Sequence, residues 1–247
     1  MGIYSPAEHK NMKNNLKLKN SSKTNRHLRF AVLAADTVLF TLRNKQLSVR
    51  LIPVNRPPYF LNKIGLPGGL LDPKETAETA ALRHLKNKAL IEPGSVHIEQ
   101  LYTFSAVNRD PRGRVVAVAY LALAPWEELS SKEQADGKDA RWSSIRDLPK
   151  LAYDHNEIID LALRRLRARI GYTTVIAKLL PKEFTLTELE QTYEVILGRK
   201  IDRRNFRKKI RKLKLVMSLG RKRRGLKWRP AMLYSFRSKK VAFIDIL

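Results

Sequence analysis

Short apolar runs separated by polar breaks fill residues 30–145, a pattern typical of strands joined by turns. The polar segments Arg43–Gln46 and Asn108–Gly113 each lie between two such runs and predict turns. The predicted strands are Phe30–Leu42, Leu47–Val54, Ile98–Phe104, Val115–Leu123 and a short strand that starts at Arg141. We therefore expect a sheet in the first half of the chain.

Helix-start signals predict two helices around these strands. After a glycine-rich loop, a helix that runs to about Lys88 begins either at the capping-box pattern Asp72–Glu75 or at the alternative N-cap Thr76. A second capping pattern at Asp154–Glu157 predicts a helix that continues to Ile170. Strands and helices together predict an α+β fold.

The last third of the chain has the pattern of three helices followed by a β-ribbon. Phe206, Ile210 and Leu213 recur at spacings of four and three and define an apolar face on the third helix. The predicted elements are a short helix Thr173–Leu180, a second helix opening at the capping box Thr185–Glu188, a third helix Arg203–Leu215, a glycine-flanked basic loop Ser218–Gly225 and a returning strand Leu233–Phe236. This order is typical of a winged helix-turn-helix domain.

Positive charge is concentrated at the two ends of the chain. The net charge is +26, and residues 161–247 carry 25 Lys and Arg against 6 Asp and Glu. Residues 1–30 carry 7 against 1, whereas residues 31–160 are nearly balanced at 17 against 16. Segregated positive charge indicates a polyanionic partner, most often nucleic acid, although a solubilising surface would have the same composition.

The composition also restricts the compartment. No run of about 18 apolar residues is present, so no transmembrane helix is expected. The N-terminus lacks an apolar signal region, and the chain has no cysteine. We expect a cytoplasmic protein without membrane association.

The segment Gly69–Ile91 resembles the Nudix box: a glycine, five residues, a glutamate, seven residues and then R-E-U-x-E-E-x-G-U, where U is apolar. The residues that match are Gly69, Glu75, Arg83, Leu85 and Ile91. The three later glutamates of the pattern fall on His84, Asn87 and Lys88, and its second glycine falls on Leu90. In Nudix hydrolases those glutamates hold Mg²⁺, which needs carboxylate oxygens and is repelled by a lysine ammonium. We therefore expect no catalytic residue, metal or cofactor, but a pocket that binds a nucleoside diphosphate compound without cutting it.

Glycine and arginine residues around this motif are candidates for binding a diphosphate. The Gly68–Gly69 backbone can approach a ligand closely, and arginine forks match phosphate oxygens. Ion pairing explains the arginines equally well; Arg83 could brace the loop by pairing with Glu75, and Asp110 could simply form a turn. The aromatic residue that would stack on a base is left open among Tyr59, Phe60, Tyr102 and Phe104. The candidate effector-binding residues are Arg56, Gly68, Gly69, Arg83, Arg109, Asp110, Arg112 and Arg114.

The polar face of the third C-terminal helix carries side chains suited to DNA. Arginine can form two hydrogen bonds to guanine, and Asn205 can pair with adenine, although it could instead face the preceding turn. The basic run 221–224 suits a wing on the phosphate backbone or in a minor groove. The candidate DNA-binding residues are Arg203, Arg204, Asn205, Arg207, Lys208, Arg211, Arg221, Lys222, Arg223, Arg224 and Lys227.

The chain as a whole resembles the bacterial Nudix-related transcriptional regulators of NAD metabolism. The segments that carry the resemblance beyond the Nudix box are Arg109–Val116, Leu151–His155, Leu179–Pro181, Phe184–Leu189, Tyr193–Glu194 and Asp202–Lys209. It implies a Nudix-like α/β/α sandwich followed by a winged helix-turn-helix domain. It also implies a homodimer, ADP-ribose or a related NAD-derived nucleotide as effector, and a palindromic operator in double-stranded DNA.

The implied domains are a basic flexible tail 1–28, a Nudix-like effector-sensing domain 29–155, a linker helix 156–172 and a winged helix-turn-helix domain 173–247. Our hypothesis is a transcriptional regulator, a repressor of NAD biosynthesis or salvage genes. The alternatives are an active Nudix hydrolase of ADP-ribose or RNA-linked diphosphates, a sugar-responsive regulator of the same architecture, and an RNA-binding module on an inert Nudix scaffold.

Overall fold

The computed structural model of the protein describes residues 30–223, 230–238 and 240–244. All of the elements below lie in one compact unit, Val32–Leu247. The predicted tail 1–28 lies outside the described residues, as do Arg224 and Lys227 of the predicted wing. Of the described helices, none has the length and apolar character needed to cross a membrane.

Seven strands form the large sheet of the described residues. They are β1 (Val32–Arg43), β2 (Gln46–Arg56), β3 (Phe60–Gly65), β4 (Gly68–Leu70), β5 (His97–Phe104), β6 (Val115–Leu123) and β7 (Arg141–Ser144). The order is β3-β2-β1-β6-β5, with β4 paired to β1 and β7 paired to β2. The central pair β1–β6 is parallel, from Val32 opposite Val115 to Phe40 opposite Leu123.

Both faces of the central strands are buried, which explains their nearly continuous apolar sequence. On one face, Leu39 belongs to the same core cluster as Leu85 of the helix α1 (Ala77–Ala89). On the other face, Val38 and Phe40 belong to the cluster that includes Ile158 of the helix α3 (His155–Tyr172). Successive strand side chains point to opposite faces, so the sheet lies between two helices. The α+β fold with an α/β/α sandwich is confirmed.

The helix α1 begins at the alternative N-cap. Thr76 accepts a hydrogen bond from the Thr79 amide at 3.2 Å, as expected for an N-cap threonine. The helix ends at Leu90, whose backbone is left-handed with φ 60°. The Nudix box has glycine at this position, and glycine adopts this conformation without steric cost. A single-turn helix α2 (Ser131–Gln134) follows later in the chain.

The C-terminal elements form a small three-stranded sheet with two helices. They are β8 (Phe184–Thr185), α4 (Leu186–Leu197), α5 (Arg203–Lys212), β9 (Val216–Arg223) and β10 (Ala231–Phe236), with strand order β8-β10-β9. Thr185 and Glu188 form the predicted capping box of α4. This is the winged-helix arrangement, as predicted.

One hydrophobic cluster continues from the large sheet into the winged helix. It includes Leu121 of the sheet, Leu166 of α3, Phe184 of β8 and Phe206 of α5. The helix α3 therefore packs against the core of both domains. Its Arg165 also donates to the Leu101 carbonyl of β5 at 3.1 Å.

Several elements differ from the sequence-based predictions. The strands β3 and β4 were not predicted, because their short, glycine-containing sequences gain pairing partners only in the folded sheet. The predicted helix at 173–180 is a 3₁₀ turn, Val175–Lys178, and most of the predicted basic loop is the strand β9. Asp154 stands at the N-cap of α3, but its side chain makes no capping bond. The Asp154 carboxylate instead accepts hydrogen bonds from Arg109.

Candidate effector cavity and nucleic-acid interface

A cavity of about 560 Å³ opens beside the β1–β4 edge of the large sheet. Six of the eight candidate effector residues line it, namely Arg56, Gly68, Gly69, Arg109, Asp110 and Arg112. The lining also includes Asp36, Lys88, Tyr153 and His155. The folding of β1, β4, α1 and the start of α3 thus brings together residues that are more than a hundred positions apart in the chain.

Arg109 is buried at the wall of the cavity and is held by two carboxylates. Its guanidinium donates to both oxygens of Asp154, at 2.8 and 2.7 Å, and to Asp36 Oδ2 at 3.3 Å. Burial alone would lower the pKa of Arg109, but the bonds to Asp154 and Asp36 raise it overall, so the arginine stays charged. Because Asp154 is the N-cap residue of α3, the cavity is directly connected to that helix.

His155 completes this wall in its neutral form. Its Nδ1 accepts the Leu66 amide at 2.9 Å, and burial lowers its pKa. Its Nε2, which therefore carries the proton, lies 3.9 Å from Asp36 Oδ2. A Cβ at Gly65 would lie only 2.5 Å from His155 Nδ1, so the glycine allows this packing.

Arg112 lies over the aromatic ring of Tyr153. Its guanidinium carbon is 5.5 Å from the centre of that ring, and it bonds Asp110 at 2.9 and 2.7 Å. Tyr153 in turn packs on Phe60, with ring centres 4.3 Å apart. Tyr153 is the aromatic residue that lines the cavity, and it is not one of the four aromatic candidates.

The other two effector candidates have different neighbours. Arg83 forms an ion pair with Glu75 and donates to the Leu70 carbonyl at 3.2 Å, so it braces the loop before α1. The Arg83 bond lowers the pKa of Glu75 to about 2. Arg114 donates to the carbonyls of Ser105 and Ala106 at 2.9 and 3.2 Å. In the described residues neither arginine is part of the cavity lining.

The positions of the missing Nudix glutamates do not fit a divalent metal ion. His84 Nε2 lies 3.1 Å from the Leu70 carbonyl oxygen, and Lys88 Nζ donates to the Gly68 carbonyl at 2.6 Å. Glu75, the remaining glutamate of the box, is occupied by Arg83. Within the described part of the chain, no three His, Asp or Glu side chains are arranged to hold a metal.

The lining also contains residues that were not among the candidates, and four of them, Asp36, Lys88, Tyr153 and His155, had only a weak signal in the sequence. Asp36 lies inside an apolar strand, where an acidic residue is unusual, and Lys88 is the most unusual substitution in the Nudix box. Tyr153 and His155 lie in a segment that carries the family resemblance, but nothing in their spacing points to the cavity. The pairing of α3 with the sheet brings them there.

The helix α5 presents a basic face to solvent. Phe206 and Ile210 are buried beneath it, as the spacing predicted. The exposed basic candidates on this helix are Arg203, Arg204, Lys208 and Arg211, and the candidate Asn205 is exposed as well. Basic side chains on a helix of this fold are placed for a DNA groove and its phosphates.

The remaining DNA candidates are engaged within the protein or lie on the ribbon. Asn205 donates to Asp202 Oδ2 at 2.9 Å, at the helix start, which was the alternative position considered for it. Arg207 is held by the buried Glu190 of α4. Arg221 and Arg223 pair with Glu183 and Glu188, and Lys222 is exposed on β9.

Two domain families match successive parts of the chain. The NUDIX domain matches residues 32–165, and the NrtR DNA-binding winged helix domain matches residues 176–236. These matches coincide with the large sheet and its helices and with the small three-stranded sheet and its helices.

The similar proteins include a regulator and an enzyme. The ADPR responsive transcriptional repressor NtrR of Acinetobacter baylyi is 30% identical over 207 residues, which are 83% of this chain and 82% of that protein. The ADP-ribose pyrophosphatase of Methanocaldococcus jannaschii is 34% identical over 100 residues, 40% of this chain and 57% of that protein.

A solved structure extends the similarity over both domains. Shewanella oneidensis NrtR complexed with a 27mer DNA has a TM-score of 0.73 and 36% identity, covering 83% of this chain and 93% of that chain. The order of the two domains and their similarity along nearly the whole length agree. The chain therefore belongs to the NrtR family, in which a Nudix domain is followed by an NrtR DNA-binding winged helix domain.

Proposed function

We propose that this protein is a DNA-binding transcriptional repressor that responds to ADP-ribose or a closely related nucleotide. The observation that carries the proposal is the combination, in one compact unit, of a cation-lined cavity in a Nudix scaffold and an exposed basic helix in a winged helix. The Acinetobacter baylyi relative, an ADPR responsive repressor, and the DNA complex of the Shewanella oneidensis relative support both halves.

The effector would bind in the cavity without a metal ion. Arg56 supplies positive charge, whereas Arg109 and Arg112 would exchange carboxylate partners for the diphosphate. Gly68 and Gly69 leave room for its close approach. Tyr153 offers an aromatic face, and Asp110 holds Arg112 at the cavity. The Nudix box positions His84, Asn87 and Lys88 offer no carboxylate for a catalytic metal, so we propose binding without hydrolysis.

The link from the cavity to the DNA-binding domain would be the helix α3. Arg109 holds Asp154 at the first turn of α3, and α3 shares its core with α4 and α5. A diphosphate competes with Asp154 for the Arg109 guanidinium and so favours a different position of the helix start. An effector shifts a conformational equilibrium only through such a difference in binding to the two states.

The operator, the oligomeric state and the regulated genes complete the proposal. A homodimer would place two α5 helices on half-sites of a palindrome about one DNA turn apart, roughly 34 Å. A small shift of α3 in each protomer would then alter the spacing of the two recognition helices. The regulated genes we propose are those of NAD biosynthesis or salvage.

The test is DNA binding by the full chain with and without effector. Purified protein is titrated onto a duplex from upstream of its neighbouring genes, onto a random duplex and onto single-stranded RNA, with ADP-ribose, NAD or sugars added. We expect preference for the specific duplex and a change in affinity with ADP-ribose. Equal affinity for all three nucleic acids would reject the repressor.

Asp154→Asn tests the coupling through α3. The substitution weakens the hold of Arg109 on the helix start and leaves the surface of α5 untouched. We expect the variant to bind ADP-ribose and DNA but to lose most of the effect of one ligand on the other. If ADP-ribose changed the DNA affinity of this variant as much as that of the wild type, α3 would not transmit the effect of the effector.

A hydrolase is the second candidate, because the Methanocaldococcus jannaschii relative is an ADP-ribose pyrophosphatase. That similarity covers 40% of this chain, within the Nudix domain, and does not include the winged helix. Incubation of the protein with ADP-ribose and Mg²⁺ separates the two functions. Turnover of about 1 s⁻¹ or faster that Glu75→Gln abolishes would favour the enzyme.

A further inference from the structure

We propose that the ammonium group of Lys88 binds the diphosphate of the effector, in the place that a divalent metal ion has in Nudix hydrolases. This inference rests on the proposed function, since it concerns the same cavity. It assigns the diphosphate to a residue of α1 that the sequence identified only as a missing glutamate and not as a candidate for effector binding.

The position of Lys88 carries the first part of the argument. It occupies one of the glutamate positions of the Nudix box, on the last turn of α1, and it lines the cavity. Its Nζ donates to the Gly68 carbonyl at 2.6 Å, next to the glycine pair where a ligand can approach. Its positive charge therefore lies at the end of the motif where a metal would need carboxylates.

The charge balance of the cavity carries the second part. Arg109 is neutralised by Asp36 and Asp154, and Arg112 by Asp110. Lys88 has no carboxylate within ion-pair distance among the described residues, and its bond goes to a neutral carbonyl. Arg56 also lines the cavity without an ion pair in the described residues, but it is exposed to solvent, whereas Lys88 is half-buried. A half-buried charge without a counter-charge is unfavourable, and a phosphate anion would supply that counter-charge.

The electrostatic surroundings agree with this. Burial, followed by the neighbouring Arg56 and Arg83, lowers the pKa of Lys88, and only Asp36 acts in the opposite direction. The charged form is therefore destabilised in the ligand-free protein, and a bound anion would relieve it.

Hydrogen-bond capacity completes the argument. An ammonium group has three donors, and one of them is used by the Gly68 carbonyl. The adjoining Leu70 carbonyl is contacted by His84, so Lys88 is not needed there. Two donors are left for phosphate oxygens, and the class of ligand that fits is a nucleoside diphosphate.

Calorimetric titration of the full chain with ADP-ribose in EDTA tests the proposal. Lys88→Met and Lys88→Gln should each weaken binding about 10- to 100-fold, the range for a lost hydrogen bond to a charged group. Glutamine can still donate to the Gly68 carbonyl, so an equal loss in both variants assigns the effect to charge. Lys86→Met is the matched control, since Lys86 lies on the same helix and pairs with Glu92 at 3.0 Å.

A charge reversal gives a second readout that does not depend on loss alone. Lys88→Glu should abolish binding in EDTA, and Mg²⁺ should recover part of it, because the carboxylate now suits a cation. Wild-type affinity in Lys88→Met and Lys88→Gln would overturn the proposal, as would wild-type binding that requires Mg²⁺. If ADP-ribose fails to bind the wild type under either condition, the proposed effector fails, and the same variants titrated with pyrophosphate still test Lys88.

Discussion

At the residue scale, side chains at the glutamate positions of the Nudix box contact backbone carbonyls of the sheet. The strand β4 approaches α1 closely, and side chains of α1 that contact its carbonyls are Arg83, His84 and Lys88. The same backbone with glutamates at the positions of His84 and Lys88 would gather negative charge for a metal. Of these two, Lys88 lines the cavity and gives it a positive charge where the Nudix box has a carboxylate.

Gly68 is predicted to be indispensable for this close approach. A Cβ there would overlap Asp36 Oδ1 and lie 2.7 Å from the Ala35 carbonyl oxygen. We expect Gly68→Ala to lower the free energy of unfolding by about 1–3 kcal/mol, the usual cost of overpacking. Urea denaturation measures the change, with Gly94→Ala as the control because a Cβ at Gly94 meets nothing within 4 Å. Equal stability of the two variants would contradict the prediction.

The buried histidines predict a loss of stability in mild acid. Burial lowers the pKa of His155, and also those of His84 and His97. Below about pH 6.5 the unfolded chain therefore takes up protons that the folded chain does not, so stability falls as the pH falls.

Each such histidine can contribute up to about 1.4 kcal/mol per pH unit below pH 6.5. We expect the free energy of unfolding to drop between pH 7.5 and 5.5, and to drop less in His155→Gln. Urea denaturation at the two pH values measures both. This pH range lies above the one in which the carboxyl groups of the unfolded chain titrate. A wild-type free energy of unfolding that stayed constant between pH 7.5 and 5.5 would be inconsistent with neutral buried histidines.

At the element scale, α5 has a buried side fixed to α4 and an exposed side free for a partner. Phe206 packs edge-on against Tyr193 of α4, with ring centres 4.9 Å apart. Arg207 adds an ion pair with Glu190 of α4, whose side chain is 2% exposed. The two helices are therefore held as one unit, and Arg204 and Lys208 stay on the open face.

This division predicts different roles for two neighbouring arginines. Arg207→Met leaves the buried Glu190 carboxylate unpaired, which should cost about 1–3 kcal/mol of stability once the partial exposure of Arg207 is considered. Combining it with Glu190→Met should recover much of that loss. Arg204→Met should change stability by less than about 0.5 kcal/mol and reduce discrimination between operator and random DNA by about 1–3 kcal/mol if it reads a base. If Arg204→Met instead destabilised the protein and Arg207→Met reduced the discrimination between operator and random DNA, Arg207 would be the residue in the DNA groove.

At the scale of the whole molecule, the charge is divided between two domains that share one core. The nearly neutral half contains the cavity, and the basic half contains α5 and the ribbon. The helix α3 touches both, through Asp154 at its start and through Arg167, which donates to the Ile196 carbonyl at the end of α4 at 2.8 Å. This single helix therefore contacts both the wall of the cavity and the winged helix.

The same division predicts how DNA binding depends on salt. Removing Arg204 and Lys208 together should flatten the slope of log affinity against log salt by about one unit per lost phosphate contact. Lys132→Ala, an exposed lysine of the Nudix half, should leave the slope unchanged. Fluorescence anisotropy at several salt concentrations measures the slope, and equal slopes in the three proteins would mean that α5 does not hold phosphates.

The sequence by itself determined the architecture of this protein. Apolar runs predicted β1, β2, β5 and β6, and the capping box at Thr185 predicted the start of α4, because these signals are local and act within a few residues. The Nudix-box spacing showed which carboxylates were absent, and the charge division showed which half carries the positive surface. These features depend on residue type and spacing, which can be counted along the chain.

Only the tertiary structure decided which side chains meet. The sequence does not show that Arg109 forms an ion pair with Asp154 or that Arg207 forms one with Glu190. It also does not show that Lys88 has no carboxylate partner in the described residues. The strands β3 and β4 likewise form because neighbouring strands pair with them. The physical reason is the same in each case, because strand pairing and burial bring together residues that are far apart in the chain. Whether an arginine stabilises the fold or binds a ligand therefore depends on the partner that folding places beside it.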